Sequence, residues 1–124
     1  MNKGNLQVVV RTEYLPYQSS PEKQQYAFAY HITISNTGDV GAQLISRHWI
    51  IIDGNGVRSE VKGMGVIGEQ PLIGPGESYQ YSSGSVLETV VGTMQGSYQM
   101  LSENGASFDL DIPVFSLALP NAVN

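Results

Sequence analysis

The sequence predicts an all-β chain, an antiparallel β-sandwich of about seven strands. Three observations carry that expectation. Tyr26 to Ser35 alternates large apolar residues with small or polar ones, short apolar runs recur between Gly, Pro and Asn clusters, and no segment shows a capped helical period.

In chain order, Leu6, Val8 and Val10 begin a first strand ending near Tyr14, and the Pro- and Ser-containing stretch Leu15 to Gln25 reads as a loop. In the second strand Tyr26, Phe28, Tyr30, Ile32 and Ile34 face one way, with Ala27, Ala29, His31, Thr33 and Ser35 behind. Asn36-Thr37-Gly38-Asp39 is a turn, and Gln43, Leu44 and Ile45 lead into a central hairpin. Beyond it, Ile73-Gly74-Pro75-Gly76 turns into a strand carrying Tyr79 and Tyr81, and Ser82 to Gly92 reads as a long connection. Met94, Tyr98 and Met100 mark another strand and Glu103-Asn104-Gly105 a hairpin turn. Phe108, Leu110 and Ile112 open the last strand. Its apolar parity then switches at Pro113 to Phe115, Leu117 and Leu119, which predicts a bulge on an edge strand.

The central hairpin runs from Arg47 through Asp53-Gly54-Asn55-Gly56 to Lys62. A two-residue turn sets Trp49 beside Arg58, Glu60 and Lys62, whereas a three-residue turn over Gly54-Asn55-Gly56 sets Trp49 and Ile51 beside Val57, Ser59 and Val61. The second register buries the largest apolar side chain and leaves three charges in water. It predicts a core shared by Phe28, Tyr30, Ile32, Trp49, Val61 and Leu110, and it places Arg47 opposite Gly63.

Gly63, Gly65 and Gly68 satisfy G-x-G-x-x-G, the pattern of a dinucleotide cradle when a helix follows. Here Glu69-Gln70-Pro71-Leu72-Ile73-Gly74-Pro75-Gly76 follows, and its prolines and glycines forbid that helix. What remains is a loop nearly free of side chains, which another backbone or a partner can approach closely. Arg47, at its mouth, suits either an anion or the carbonyls of the loop itself. Met64, Val66, Ile67 and Leu72 are the apolar residues for a contact patch.

The 124 residues suffice for one domain, 1–124, with a core that needs no staples. The absence of cysteine excludes disulfides, thiol catalysis and cysteine-held metals. Six basic residues against eleven acidic give a net charge of −5, which disfavours nucleic acid and anionic membranes as partners. Neither a signal-type apolar region nor an apolar run near the ~20 residues of a membrane span is present, so a soluble, cytoplasmic protein is expected. Two histidines, no G-x-S-x-G elbow and no ligand spacing argue against catalysis and metal binding: His31 and His48 read as ordinary strand residues. Asp109 and Asp111 read as a solvated edge. Tyr79, Tyr81 and Tyr98 read as rim aromatics whose hydroxyls reach water.

Taken together, Arg47-His48-Trp49, Asp53-Gly54-Asn55-Gly56, the run Val61 to Pro71, Pro75-Gly76-Glu77, Tyr81-Ser82-Ser83-Gly84, the run Gly92 to Tyr98 and Ile112-Pro113-Val114-Phe115 resemble the ApaG family over nearly the whole chain. The resemblance implies a fibronectin type III/immunoglobulin-like sandwich. It also implies an association, by name, with cobalt resistance and magnesium efflux, and a protein-binding role by analogy with similar domains in an F-box ubiquitin-ligase adaptor and a polymerase-interacting protein. For the glycine motif it implies pyrophosphate binding, to which the missing helix is an objection. The expected function is a non-enzymatic module that binds an unidentified protein partner through Arg47, Gly63, Met64, Gly65, Val66, Ile67 and Gly68. Weak binding of a nucleotide or pyrophosphate at the same loop is the alternative. No cofactor, metal or catalytic residue is assigned, and a homodimer is left open.

Overall fold

The alternating strand at Tyr26–Asn36 (β2) is the middle of a three-stranded antiparallel sheet, flanked by β1 (Leu6–Tyr14) and β6 (Ser78–Leu87). A computed structural model describes residues 5–120; residues 1–4 and 121–124 of the expected 1–124 domain lie outside the described residues. The facing sheet is ordered β4-β3-β7-β8, with β3 at Ala42–Asp53, β4 at Arg58–Met64, β7 at Val91–Ser102 and β8 at Ser107–Ala118; the two-residue β5 (Leu72–Ile73) pairs with the start of β3. The chain is thus the expected all-β sandwich. Among the described residues no helix is long and apolar enough to cross a membrane. The loop before β2 holds only two 3-10 turns, each opening on a proline whose missing N–H is no loss there.

The central hairpin takes the three-residue turn. The Asp53 amide donates to Val57 O (3.1 Å), the Gly56 amide to Asp53 O (3.0 Å), and Gly56 has φ 80°. Trp49 therefore pairs with Val61, Ile51 with Ser59 and Arg47 with Gly63. The burial expected of β4 does not follow. Val61 is 41% exposed and Val57 is also exposed. The reason is sheet width: β4 is the outer strand of the wider sheet, and a three-stranded sheet leaves nothing opposite it. Trp49 is buried instead among Tyr30, Tyr98 and Phe115, with ring centroids at 5.3, 6.4 and 5.8 Å. The rest of the predicted core, Phe28, Tyr30, Ile32 and Leu110, lies in one cluster with it.

At the other edge, Phe115 pairs with Met94 and Ile112 with Gly96, so Pro113 and Val114 together face Gln95. That is the predicted bulge, on an edge strand, and it lets Ile112 and Leu117 both turn inward despite opposite parity. The stretch Ser82 to Gly92 is no long connection. β6 continues to Leu87, and only three residues separate it from β7.

Two tyrosines also depart from expectation. Tyr79 is a rim residue, but Tyr81 and Tyr98 are buried and their hydroxyls bond each other at 2.5 Å. Burial pushes both hydroxyls well above the ordinary tyrosine pKa, so the pair stays neutral. Above pH ~10 the unfolded chain loses these protons while the folded chain keeps them, and stability falls as pH rises. Tyr81→Phe strands the Tyr98 hydroxyl in the core and should cost about 1–3 kcal/mol in urea unfolding. The double variant Tyr81→Phe/Tyr98→Phe should recover most of that loss, since no orphaned donor remains; an additive double loss would mean the hydroxyl pair is not the cause.

Candidate functional site

The glycine loop leaves β4 at Met64 and returns along the start of β3. The Gly65 amide donates to Ile45 O (2.8 Å), and Val66 and Glu69 exchange backbone bonds of 2.8 and 2.9 Å around Ile67 and Gly68. With φ 44° at Ile67 and 79° at Gly68, this is a two-residue turn of type I′. Gly68 meets the turn's need for positive φ. Gly65 needs glycine twice over, for φ 63° and because a Cβ would come 2.2 Å from Glu69 O. Gly63 makes room, since a Cβ there would come 2.8 Å from Arg47 Nη1. Each glycine of the motif thus has a local structural reason, and none requires a phosphate.

Arg47, carried opposite Gly63 by the hairpin register, donates from Nη1 to Met64 O (3.2 Å) and Gly65 O (2.8 Å). It holds the loop's shape. Its Nε and Nη2 make no hydrogen bond among the described residues, and the residue helps to line a cleft of about 320 Å³ with Tyr30, Trp49, Ile67, Gly68 and Ser83. A second clasp was not legible in the sequence: Gln70 Nε2 donates to Ile45 O (2.8 Å), Gln43 Nε2 to Gln70 O (3.0 Å), and the Leu44 amide to Pro71 O (3.0 Å). Tyr79 OH donates to Glu69 Oε1 (2.9 Å), tying the loop to β6. Burial, and then the Glu69 carboxylate beside it, raise the Tyr79 pKa.

The apolar patch expected of Met64, Val66, Ile67 and Leu72 divides. Val66 is fully buried and anchors the loop in the core, while Met64, Ile67 and Leu72 are exposed. Val66 therefore leaves the set of contact residues. Lys62 pairs with His48 on the opposite face of the sheet from Arg47, and Arg58 bonds Glu60. Of the three neighbouring cations only Arg47 converges on the loop.

The profile of the ApaG domain matches residues 16–102, a stretch that contains the whole loop and its clasp. The chain belongs to the ApaG family. ApaG proteins similar to it include that of Aromatoleum aromaticum, 58% identical over 98% of this chain and 96% of the relative, and that of Pseudomonas paraeruginosa, 60% identical over 94% and 93%. A crystal structure from Bordetella pertussis, of a protein described as ApaA, superposes with a TM-score of 0.91 at 51% identity, covering 94% of this chain and 95% of that one.

In this ApaG chain the two histidines lie on different sheets. His48 Nε2 bonds Glu60 Oε2 at 2.6 Å, and that bond, with the Arg58 charge, holds the Glu60 carboxyl below its usual range. His31 Nδ1 bonds Ser82 Oγ at 2.6 Å and its Nε2 bonds Glu13 Oε1 at 3.2 Å, an acid–imidazole–hydroxyl row across β1, β2 and β6. Sequence order gave no hint of it. The three side chains stand on the outward face of the sheet, on neighbouring strands, with Arg11 lining the same shallow cleft. The row reads as cross-strand polar pairing. Among the described residues no three His, Asp or Glu side chains gather as a metal set.

Proposed function

We propose that this ApaG domain is a non-enzymatic protein-binding module whose contact surface is the apex of the glycine loop. Ile67 carries the reading. It is β-branched, 59% exposed, and held in the left-handed region. An L side chain there costs about 1–2 kcal/mol, and Asn or Gly serves a type I′ turn without that cost. The isoleucine is thus a poor choice both for the turn and for water, and strain of this kind clusters at functional sites. Met64 and Leu72 are exposed from the same loop. The bonds from Arg47, Gln70 and Tyr79 hold the apex in one shape, which lowers the ordering cost of association.

A small anion is the second reading, favoured by the unused Nε and Nη2 of Arg47. One guanidinium without a helix terminus supports weak, salt-sensitive affinity, on the order of millimolar.

Ile67→Asn separates the readings. Urea unfolding should show a gain of about 1 kcal/mol from relief at φ 44°, while immobilised protein should lose capture of its partner from native cytosol. Micromolar ATP binding that is lost in Arg47→Ala and kept in Ile67→Asn would favour the anion instead. Turnover of pyrophosphate or dinucleoside polyphosphates that disappears in His31→Ala or Ser82→Ala would overturn the non-enzymatic reading.

A further inference from the structure

Each sheet ends in two edge strands, β1 and β6 in one and β4 and β8 in the other. An unpaired edge offers a row of N–H and C=O groups to any passing chain unless charge, proline, a bulge or cover blunts it. Three edges here are blunted. β4 carries Arg58, Glu60 and Lys62; β8 carries Asp109, Asp111 and the Pro113 bulge; β1 carries Arg11 and Glu13 and lies against β8. β6 has no charged residue and no proline in its 10 positions, and it pairs with β2 without a bulge from Ser78 to Leu87.

The Asn36 amide donates to Glu77 O (2.9 Å), in the register that pairs Ser35 with Ser78. Odd residues of β6 therefore exchange bonds with β2, and the N–H and C=O of Ser78, Gln80, Ser82, Gly84 and Val86 point away from it. Among the described residues no strand pairs with that edge. β1 and β8 close the sandwich at one flank, whereas among the described residues no comparable packing joins β6 to β4 at the other. Two clefts lie along that flank. The one beside the glycine loop presents Arg47; the other, about 280 Å³ and lined in part by Ile51, Ser85 and Leu87, presents Asp53 and Glu88.

We propose that an extended peptide adds to the free edge of β6 as an antiparallel strand, with a basic side chain toward Asp53 and Glu88 and, about four positions later, an acidic one toward Arg47. This specifies the partner's form and rests on the protein-binding reading. Main-chain bonds to the outward groups supply affinity, and the oppositely charged clefts set direction. The charge order follows from the geometry, because the loop sits at the Tyr79 end of β6 and the acidic cleft at the Leu87 end.

The probe is a synthetic peptide of about ten residues, alternating Thr and Val, with Arg followed four positions later by Glu. Added to the intact protein, it should slow hydrogen exchange at the Gln80, Ser82 and Gly84 amides. The charge-swapped peptide should bind about tenfold more weakly. Val86→Pro and, separately, Gln80→Pro each remove one outward donor without touching the β2 ladder, and each should weaken binding about tenfold. Unchanged exchange at those amides, equal affinity for the swapped peptide, or full binding by both proline variants overturns the proposal. A concentration-dependent dimer that protects the same amides without peptide makes the occupant a second copy and also overturns it. Failure of the peptide with Ile67-dependent capture intact sinks the edge site and spares the module reading, whereas loss of both sinks both.

Discussion

Trp49→Ala is expected to destabilise the protein by about 3–5 kcal/mol, measured as the loss of urea unfolding free energy. Trp49 is 2% exposed and is the meeting point of both sheets. Tyr30 reaches it from β2, Tyr98 from β7 and Phe115 from β8, with edge-on ring contacts at 5.3 to 6.4 Å. Gly96 pairs with it on β7, and a Cβ at Gly96 would come 2.0 Å from His48 O, so the backbones are already as close as they can be. The neighbours cannot collapse into the vacated space, because a strand ladder fixes each of them on its own side. Trp49→Phe should cost less than half as much, since a ring remains for Tyr30 and Phe115 to pack against. A loss under about 1 kcal/mol for the alanine variant would mean that the hairpin register placing Trp49 inward is wrong.

That register was legible because turn chemistry and side-chain parity are local. Asp53-Gly54-Asn55-Gly56 allowed two loop lengths, and parity chose between them, because only the three-residue loop turns Trp49 inward and leaves Arg58, Glu60 and Lys62 in water. Pro113 likewise announced its bulge through the change of apolar parity along the strand. The failures have equally definite causes. Val61 follows the right parity, yet its burial depends on the width of a sheet elsewhere in the chain. Ser82 to Leu87 lacks alternation because its inward positions include Ser83 and Ser85 while an outward one is Val86, so its strand is dictated by pairing with β2 rather than by its own pattern. The Tyr81–Tyr98 bond joins residues from opposite sheets and has no local signal.

The site was half legible for the same reason. Arg47 opposite Gly63 follows from register, but the bonds from its Nη1 to Met64 O and Gly65 O depend on how the loop folds back over it. Val66 and Ile67 are adjacent apolar residues that sequence cannot tell apart; one is buried in the core and the other stands in water at φ 44°. Isoleucine is among the residues least suited to that backbone, so no propensity argument finds it there.

Gly65→Ala is expected to cost on the order of 3 kcal/mol and to undo the loop. Positive φ at this residue accounts for about 1–2 kcal/mol of that. The remainder is steric. An added Cβ would sit 2.2 Å from Glu69 O and 3.0 Å from its carbonyl carbon, backbone atoms that cannot rotate away. Relief requires the Val66–Glu69 turn to open, which breaks its paired backbone bonds and draws Val66 out of the core. Gly68→Ala is the internal control: its φ is 79°, but nothing lies within 4 Å of the added Cβ, so only the conformational cost of about 1–2 kcal/mol applies. Urea unfolding ranks the two variants, and hydrogen exchange at the Gly65 and Val66 amides reports whether the loop has opened. Equal costs for the two variants, or a loop that stays closed in Gly65→Ala, would mean that the contact with Glu69 O is not what requires glycine at this position.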